Sequence, residues 1–139
     1  MRPTTLDELA ELASAARESV WEQAGQYNRE PKIYLHWMGG HYGQFSDHYH
    51  IMIDNDGSLY TTGDLSVPSP EGTYHRNTGS VCISFTGCWD ATTENMGSEP
   101  PTDAQIEAMA QVIDVVAEGL WLTIDRDHVM THGEAADNI

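Results

Sequence analysis

Residues Ile33-Tyr34-Leu35-His36-Trp37-Met38-Gly39-Gly40 form a short apolar, β-prone run with one histidine inside it and two glycines at its end. Such a run reads as a buried strand that stops at an open loop. A histidine near the end of that strand can aim its imidazole into a cleft. Far downstream, Val129-Met130-Thr131-His132-Gly133-Glu134 repeats the design. One histidine alone reads as a core residue bonded to backbone. The pair reads as two ligands, His36 and His132, of one zinc, with the intervening chain building the cleft around them.

The chain has 139 residues, the size of one domain that can bury a core without disulfide staples. Its 6 basic and 22 acidic residues give a formal charge of −16. That excess argues against nucleic acid and against anionic membranes, which both need a basic face. Two cysteines, Cys82 and Cys88, do not make a disulfide framework, and Cys82 inside a predicted strand reads as a buried thiol. No apolar run approaches spanning length, and Met1-Arg2-Pro3-Thr4-Thr5 lacks the apolar core of a signal peptide. The expectation is a chain made in the cytoplasm that needs export or release to work outside.

Thr5-Leu6-Asp7-Glu8 predicts a capping box and a helix to about Gln26, with Leu6, Leu9, Leu12/Ala13, Ala16 and Val20 on one face. After the first strand comes a polar aromatic loop, His41 to His48. Tyr49 to Asp54 predicts a strand, Asn55-Asp56-Gly57 a tight turn, and Ser58 to Thr62 the hairpin partner. Gly63 to Thr73 predicts a long irregular loop of the kind common beside active sites, Val81 to Phe85 a central strand, and Gly87 to Pro101 another loop. Thr102-Asp103-Ala104-Gln105 predicts a second capped helix with Ile106, Met109, Ala110, Ile113, Val116, Ala117 and Leu120 on its buried face. A last strand runs from His128 to His132. The order α-β-β-β-β-α-β predicts an α/β fold, a single mixed central β-sheet flanked by α-helices.

A catalytic zinc takes nitrogen, sulfur or carboxylate ligands and keeps one position open for water. His36 and His132 meet this need if their strands are neighbours. The competing pair, His128 and His132, would share a metal only on a helix. On a strand they lie roughly 13 Å apart. His41, His48, His50 and His75 could also line a cleft, although each individually reads as a loop or surface residue rather than a ligand. Tyr49, just before an apolar strand, could reach a cleft and stabilise an oxyanion, although a plain strand tyrosine with an exposed tip is the simpler reading of that residue.

Three blocks together resemble the zinc-dependent N-acetylmuramoyl-L-alanine amidases of the type-2 amidase and peptidoglycan-recognition-protein superfamily, phage endolysins in particular. They are Ile33-Tyr34-Leu35-His36, the hairpin block Tyr49-His50-Ile51-Met52-Ile53-Asp54-Asn55-Asp56-Gly57-Ser58-Leu59-Tyr60, and Arg76-Asn77-Thr78-Gly79-Ser80-Val81-Cys82-Ile83. The capped helix and Thr131-His132-Gly133-Glu134 follow in the family's order, so the resemblance covers roughly residues 33 to 134.

The resemblance implies His36 and His132 as zinc ligands and Tyr49 as the residue that assists catalysis. It implies Trp37, His50, His75 and Asn77 as substrate contacts. Cys82 stands where some members carry a catalytic glutamate. The family's third ligand comes eight or more residues after the second histidine, whereas Ile139 comes seven after His132. The expectation is therefore one amidase-like domain over residues 1–139, either lacking its C-terminal end or using Asp137 in that role. The implied activity is hydrolysis of the amide between N-acetylmuramic acid and L-alanine by a monomer acting on the cell wall after release, with peptidoglycan as its partner. The alternative is a peptidoglycan-binding module with an incomplete zinc site. A third reading, an acidic surface that docks a basic partner, has only the charge behind it.

Overall fold

The computed structural model describes residues 1–37, 39–69, 77–92 and 94–131. The described elements are β1 (Arg2–Thr4), α1 (Leu6–Gly25), β2 (Lys32–Trp37), β3 (Ile51–Ile53), β4 (Leu59–Thr61), β5 (Ser80–Phe85), α2 (Asp103–Leu120) and β6 (Val129–Thr131). The six strands form one mixed sheet in the order β1-β4-β3-β5-β2-β6. β3, β5, β2 and β6 run parallel, while β4 is antiparallel to both β3 and β1. This is the expected α/β architecture, with one strand more than the sequence pattern predicts. β1 is only three residues long and includes Pro3. Proline cannot donate to a ladder but is tolerated on an edge, which is where β1 lies.

Strand alternation separates two faces. Ile33, Ile51, Ile53, Val81 and Ile83 pack with both helices in the main core. Tyr34, Met52, Cys82 and Met130 belong to a second cluster with Tyr49. Both helices therefore cover one face, and the other is left to the loops and the site.

Thr5 caps α1 by accepting the Glu8 N–H at 3.1 Å. The Glu8 carboxylate turns instead to the Thr4 hydroxyl at 2.5 Å and Arg2 at 2.7 Å, so the reciprocal half of the predicted box serves the β1 entry. In α2 the box is complete: Gln105 N donates to Thr102 Oγ1 and Thr102 N to Gln105 Oε1, each at 3.0 Å.

The buried stripe of α2 differs from the predicted one. Gln105, Ala108, Met109, Val112, Val116, Ala117 and Leu120 face inward, whereas Ile106 is 56% exposed. Gln105 displaces Ile106 because its amide satisfies buried backbone. Its Nε2 donates to the carbonyls of Ile53 and Thr86, both at 3.0 Å. The N-terminus of α2 is thereby tied to the carboxyl ends of β3 and β5. At the other end the helices meet closely, and a Cβ on Gly119 would fall 2.5 Å from the Cβ of Ala13. No helix among the described residues is long and apolar enough to cross a membrane.

Candidate active site

His36 sits one residue before the end of β2 and is 6% exposed. Its neighbour on β5 is Ser84. On the other side, the described ladder with β6 ends at the pair Leu35 and Thr131. His36 follows Leu35 in the chain, and His132 follows Thr131. His132 itself, with Glu134 and Asp137, lies outside the described residues, as does His75. Among the described residues no group of three His, Cys, Asp or Glu is placed to hold a metal.

Tyr49 is brought to His36. Their ring centroids lie 5.5 Å apart with planes at 42°. Tyr49 enters through a bend before β3 rather than through the strand itself, which starts at Ile51. It also lines an open cleft of about 350 Å³ with Asp47, His50, Asp64, Val67 and Ser69. Tyr49 thus connects the buried imidazole with a cavity open to solvent. Hydrogen bonds from the hydroxyl and N–H of Ser66 hold the Asp64 carboxyl below the usual carboxylate range, so this wall of the cleft is anionic.

His50 has a supporting place beside Tyr49. Its ring accepts the Cys82 N–H at Nδ1, 3.0 Å away. The other nitrogen, Nε2, meets the Val67 carbonyl at 2.5 Å. That pairing assigns the Nε2–H tautomer. Burial pushes the pKa of His50 down, against the opposing pull of the Val67 carbonyl and Asp64, and the ring is neutral at neutral pH. Both ring nitrogens are committed to backbone, so His50 shapes the cleft wall from behind.

Cys82 is fully buried, and burial raises its thiol pKa to about 12 against a smaller opposing effect of Ser69. A thiol in that state is neutral and cannot serve as a base near pH 7.

Two other sequence candidates are not gathered around His36. Asn77 precedes β5 and lies with Tyr27, Arg29 and Thr78. That is the amino end of the parallel strands, next to Lys32, whose N–H reaches Gly79. A separation of four positions along the strand, about 13 Å, sets Lys32 apart from His36. Trp37 is 52% exposed, and alternation assigns it to the row of Ile33 and Leu35 on the opposite face from His36.

Sequence reasoning named the loops at the carboxyl ends of β2 and β5 but not their meeting. There His41 stacks on Trp89 with centroids 4.2 Å apart, and His41 Nδ1 lies 2.5 Å from Glu99. A bridge between Gly40 and Cys88 joins the two loops. The residue types alone gave no signal, because the partners lie 48 and 58 positions from His41.

A family profile described as N-acetylmuramoyl-L-alanine amidase matches residues 9–138. No curated protein matches the chain in sequence. Among solved structures, the fold is similar to the human peptidoglycan recognition protein PGRP-Iβ C-terminal domain, solved in complex with a glycosamyl muramyl pentapeptide. The identity is 18%, with 76% of this chain and 72% of that chain covered at a TM-score of 0.54. It is also similar to Drosophila PGRP-LB, at 18% identity, 75% and 69% coverage and a TM-score of 0.54. The endolysin amidase LysCS from Clostridium intestinale gives 15% identity, 78% and 72% coverage and a TM-score of 0.53. At these identities the structures speak for the fold.

Proposed function

The chain belongs to the N-acetylmuramoyl-L-alanine amidase family, and from that premise we propose that it hydrolyses the amide between N-acetylmuramic acid and L-alanine in peptidoglycan, with zinc held by His36 and His132. The observation that carries the reading is the placement of His36. It is a buried imidazole near the carboxyl end of a central parallel strand, against Tyr49 and beside the strand that leads directly into His132. Imidazole is a ligand type suited to zinc, and ligands on parallel neighbours can converge. Ligands in open α/β sheets bind outside the carboxyl ends of strands, and His36 lies at that end.

Zinc in such a site supplies a Lewis acid for the amide carbonyl and lowers the pKa of water. The chain's own residues do the rest. Tyr49 donates its phenolic hydrogen bond to the oxygen on which charge develops. The acidic, Tyr49-lined cleft receives the muramyl peptide. His50 holds the Tyr49 turn through its two backbone bonds. His75, outside the described residues, remains a candidate substrate contact.

The test is zinc stoichiometry by elemental analysis beside release of new L-alanine amines from purified cell walls. Wild type is expected to carry one zinc and release amines. His36→Ala is expected to lose both while keeping its circular dichroism spectrum. A His36→Ala protein that still hydrolyses walls would sink the proposal.

A second reading has one observation in its favour. Cys82 is buried and protonated, and the resemblance sets it where some family members carry a catalytic glutamate. A protein that binds walls and releases no amine would be a recognition module instead.

A further inference from the structure

A second cavity, of about 620 Å³, lies in the helix layer, on the other face of the sheet from the Tyr49 cluster. Ser14, Arg17, Glu18 and Trp21 line it from α1, and Trp121 lines it from the C-terminus of α2. None of these residues lines the Tyr49 cleft. A volume of this order is that of pockets that hold small organic ligands. Its walls are also held in place. Trp121 caps α2 with left-handed backbone, φ 58° and ψ 46°, where glycine is usual. The side chain is 72% exposed, so the core gains nothing from that conformation.

Arg17 lies flat on this indole, with its guanidinium carbon 3.8 Å from the ring centroid. Its Nε–H donates to the Gly119 carbonyl at 2.7 Å, which fixes the plane and leaves the Nη groups to face outward. Among the described residues no carboxylate is paired with them. The Trp21 indole N–H donates to the Leu120 carbonyl at 2.7 Å, so the second ring is anchored as well. Groups held this way lose little freedom when a ligand arrives. Glu18, the next residue in the chain, is exposed and lines the same cavity. The cavity thus offers one cation and one anion beside two indole rings. A purely anionic ligand is repelled by a chain of 22 acidic and 6 basic residues, and a purely cationic one meets Arg17. A ligand with both charges close together and no net charge satisfies both groups.

We propose that this cavity, between α1 and the end of α2, binds a free α-amino acid with an aromatic side chain. The α-carboxylate takes the two outward N–H groups of Arg17, a planar fork that matches it. The α-ammonium pairs with Glu18. The aromatic side chain lies against the indoles, where ring contacts add to the area it buries. This site is separate from the proposed wall hydrolysis and stands whether or not the chain is an amidase.

The experiment is a two-dimensional NMR titration of the full chain at about pH 6, where an α-amine is charged. The probes are L-phenylalanine, N-acetyl-L-phenylalanine and L-phenylalanine amide, which carry both charges, the carboxylate alone and the ammonium alone. The four indole N–H signals are followed, with Trp121 assigned by its loss in Trp121→Phe. Phenylalanine is expected to shift the Trp121 signal saturably and to leave Trp37 and Trp89 still. Each blocked compound should bind about tenfold more weakly, the worth of one charge-assisted hydrogen bond. A Trp121 signal unmoved by phenylalanine overturns the proposal. So do equal affinities for all three compounds, which mark a merely apolar surface, and a preference for the amide, which marks attraction of cations to an acidic one. These arms use the wild-type chain and do not depend on a variant folding. Arg17→Met, with its fold checked by circular dichroism, should abolish the preference for phenylalanine over its amide. Glu18→Gln should abolish the preference over the N-acetyl compound. If both folded variants keep the wild-type order, the charges are read elsewhere and the assignment falls.

Discussion

The backbone N–H of Cys82 donates to the ring of His50 at 3.0 Å, so an imidazole takes the place of a carbonyl where the β3–β5 ladder begins. The same histidine gives its N–H to the Cys82 carbonyl and receives the Thr61 hydroxyl and Thr62 N–H on its own carbonyl. His50 therefore joins β5, the end of β4 and the cleft loop at Val67. Replacing it by alanine strands a buried N–H and removes a donor from Val67. We expect His50→Ala to lose about 2–4 kcal/mol of stability in urea unfolding. The pH response has a definite sign. The folded pKa lies below the unfolded one, so the unfolded state binds more protons in that interval. The contribution of His50 is complete above about pH 6.5 and declines as pH falls through the folded value. A stability that is flat down through that range would contradict the neutral clamp.

His128 should behave in the opposite sense. It precedes β6 and is flanked by two carboxylates, Asp125 at 2.7 Å from Nδ1 and Glu30 at Nε2. Burial alone would lower its pKa, but the hydrogen bonds and charge of Glu30 and Asp125 outweigh it and raise the value. The folded state then holds the proton more tightly. Its stabilising contribution is present below about pH 6.5 and is lost as pH rises through the folded pKa. Urea midpoints of wild type and His128→Gln, compared between pH 5 and 9, should differ most at the acid end and converge at the alkaline end. Because His128 anchors the start of β6 through the Ile33 N–H, the loss should show first in hydrogen exchange at β6.

The contrast between these two histidines shows what was legible from sequence. Apolar period and capping signals located α1, α2 and the strands around His36 and Cys82, because those patterns are local. The same patterns brought out His36, whereas Tyr49 read more simply as a strand tyrosine and was singled out by the family resemblance; the fold places the two rings together. What could not be read was long-range. Nothing in the run Tyr49-His50-Ile51 distinguishes a ring that faces a substrate from one bonded to the backbone of residue 82. Gln105 was hidden for the same reason, since a polar residue in an apolar stripe declares itself only when its distant partners, Ile53 and Thr86, are known. The His41–Trp89 stack depends on two loops meeting, which periodicity does not encode.

Gln105 gives a test of the joint between α2 and the sheet. Gln105→Leu keeps the volume but removes the donor to Ile53 and Thr86 and the acceptor for the Thr102 N–H. The expected loss is about 2–3 kcal/mol, seen as a lower thermal midpoint, because buried carbonyls are left with fewer partners. Gln105→Glu should be worse, since it sets carboxylate oxygen against two carbonyls. Gly119→Ala probes the other end of the helix pair, where the added methyl would meet Ala13 at 2.5 Å. Overpacking there should cost about 1–3 kcal/mol. A midpoint unchanged in Gly119→Ala would mean that the helices can separate without loss.

Cys82 decides between two views of the site's chemistry. A thiol with a pKa of about 12 is almost wholly protonated at neutral pH, and the side chain has no exposed surface. The thiolate is the reactive form, so alkylation by iodoacetamide at pH 8 should be negligible in the native protein and rapid in urea. Cys82→Ala should then keep wall hydrolysis within a few-fold of wild type, with a modest loss of stability from the missing sulfur in the Tyr34–Met52 cluster. Tyr49→Phe should behave differently. It leaves the packing against His36 intact but removes the hydroxyl, and the loss of one such donor to a developing oxyanion costs on the order of 10²-fold in kcat. If instead Cys82→Ala abolishes hydrolysis while the fold is retained and Tyr49→Phe does not, then the proton-handling group belongs on β5 and the assignment of Tyr49 has to be given up.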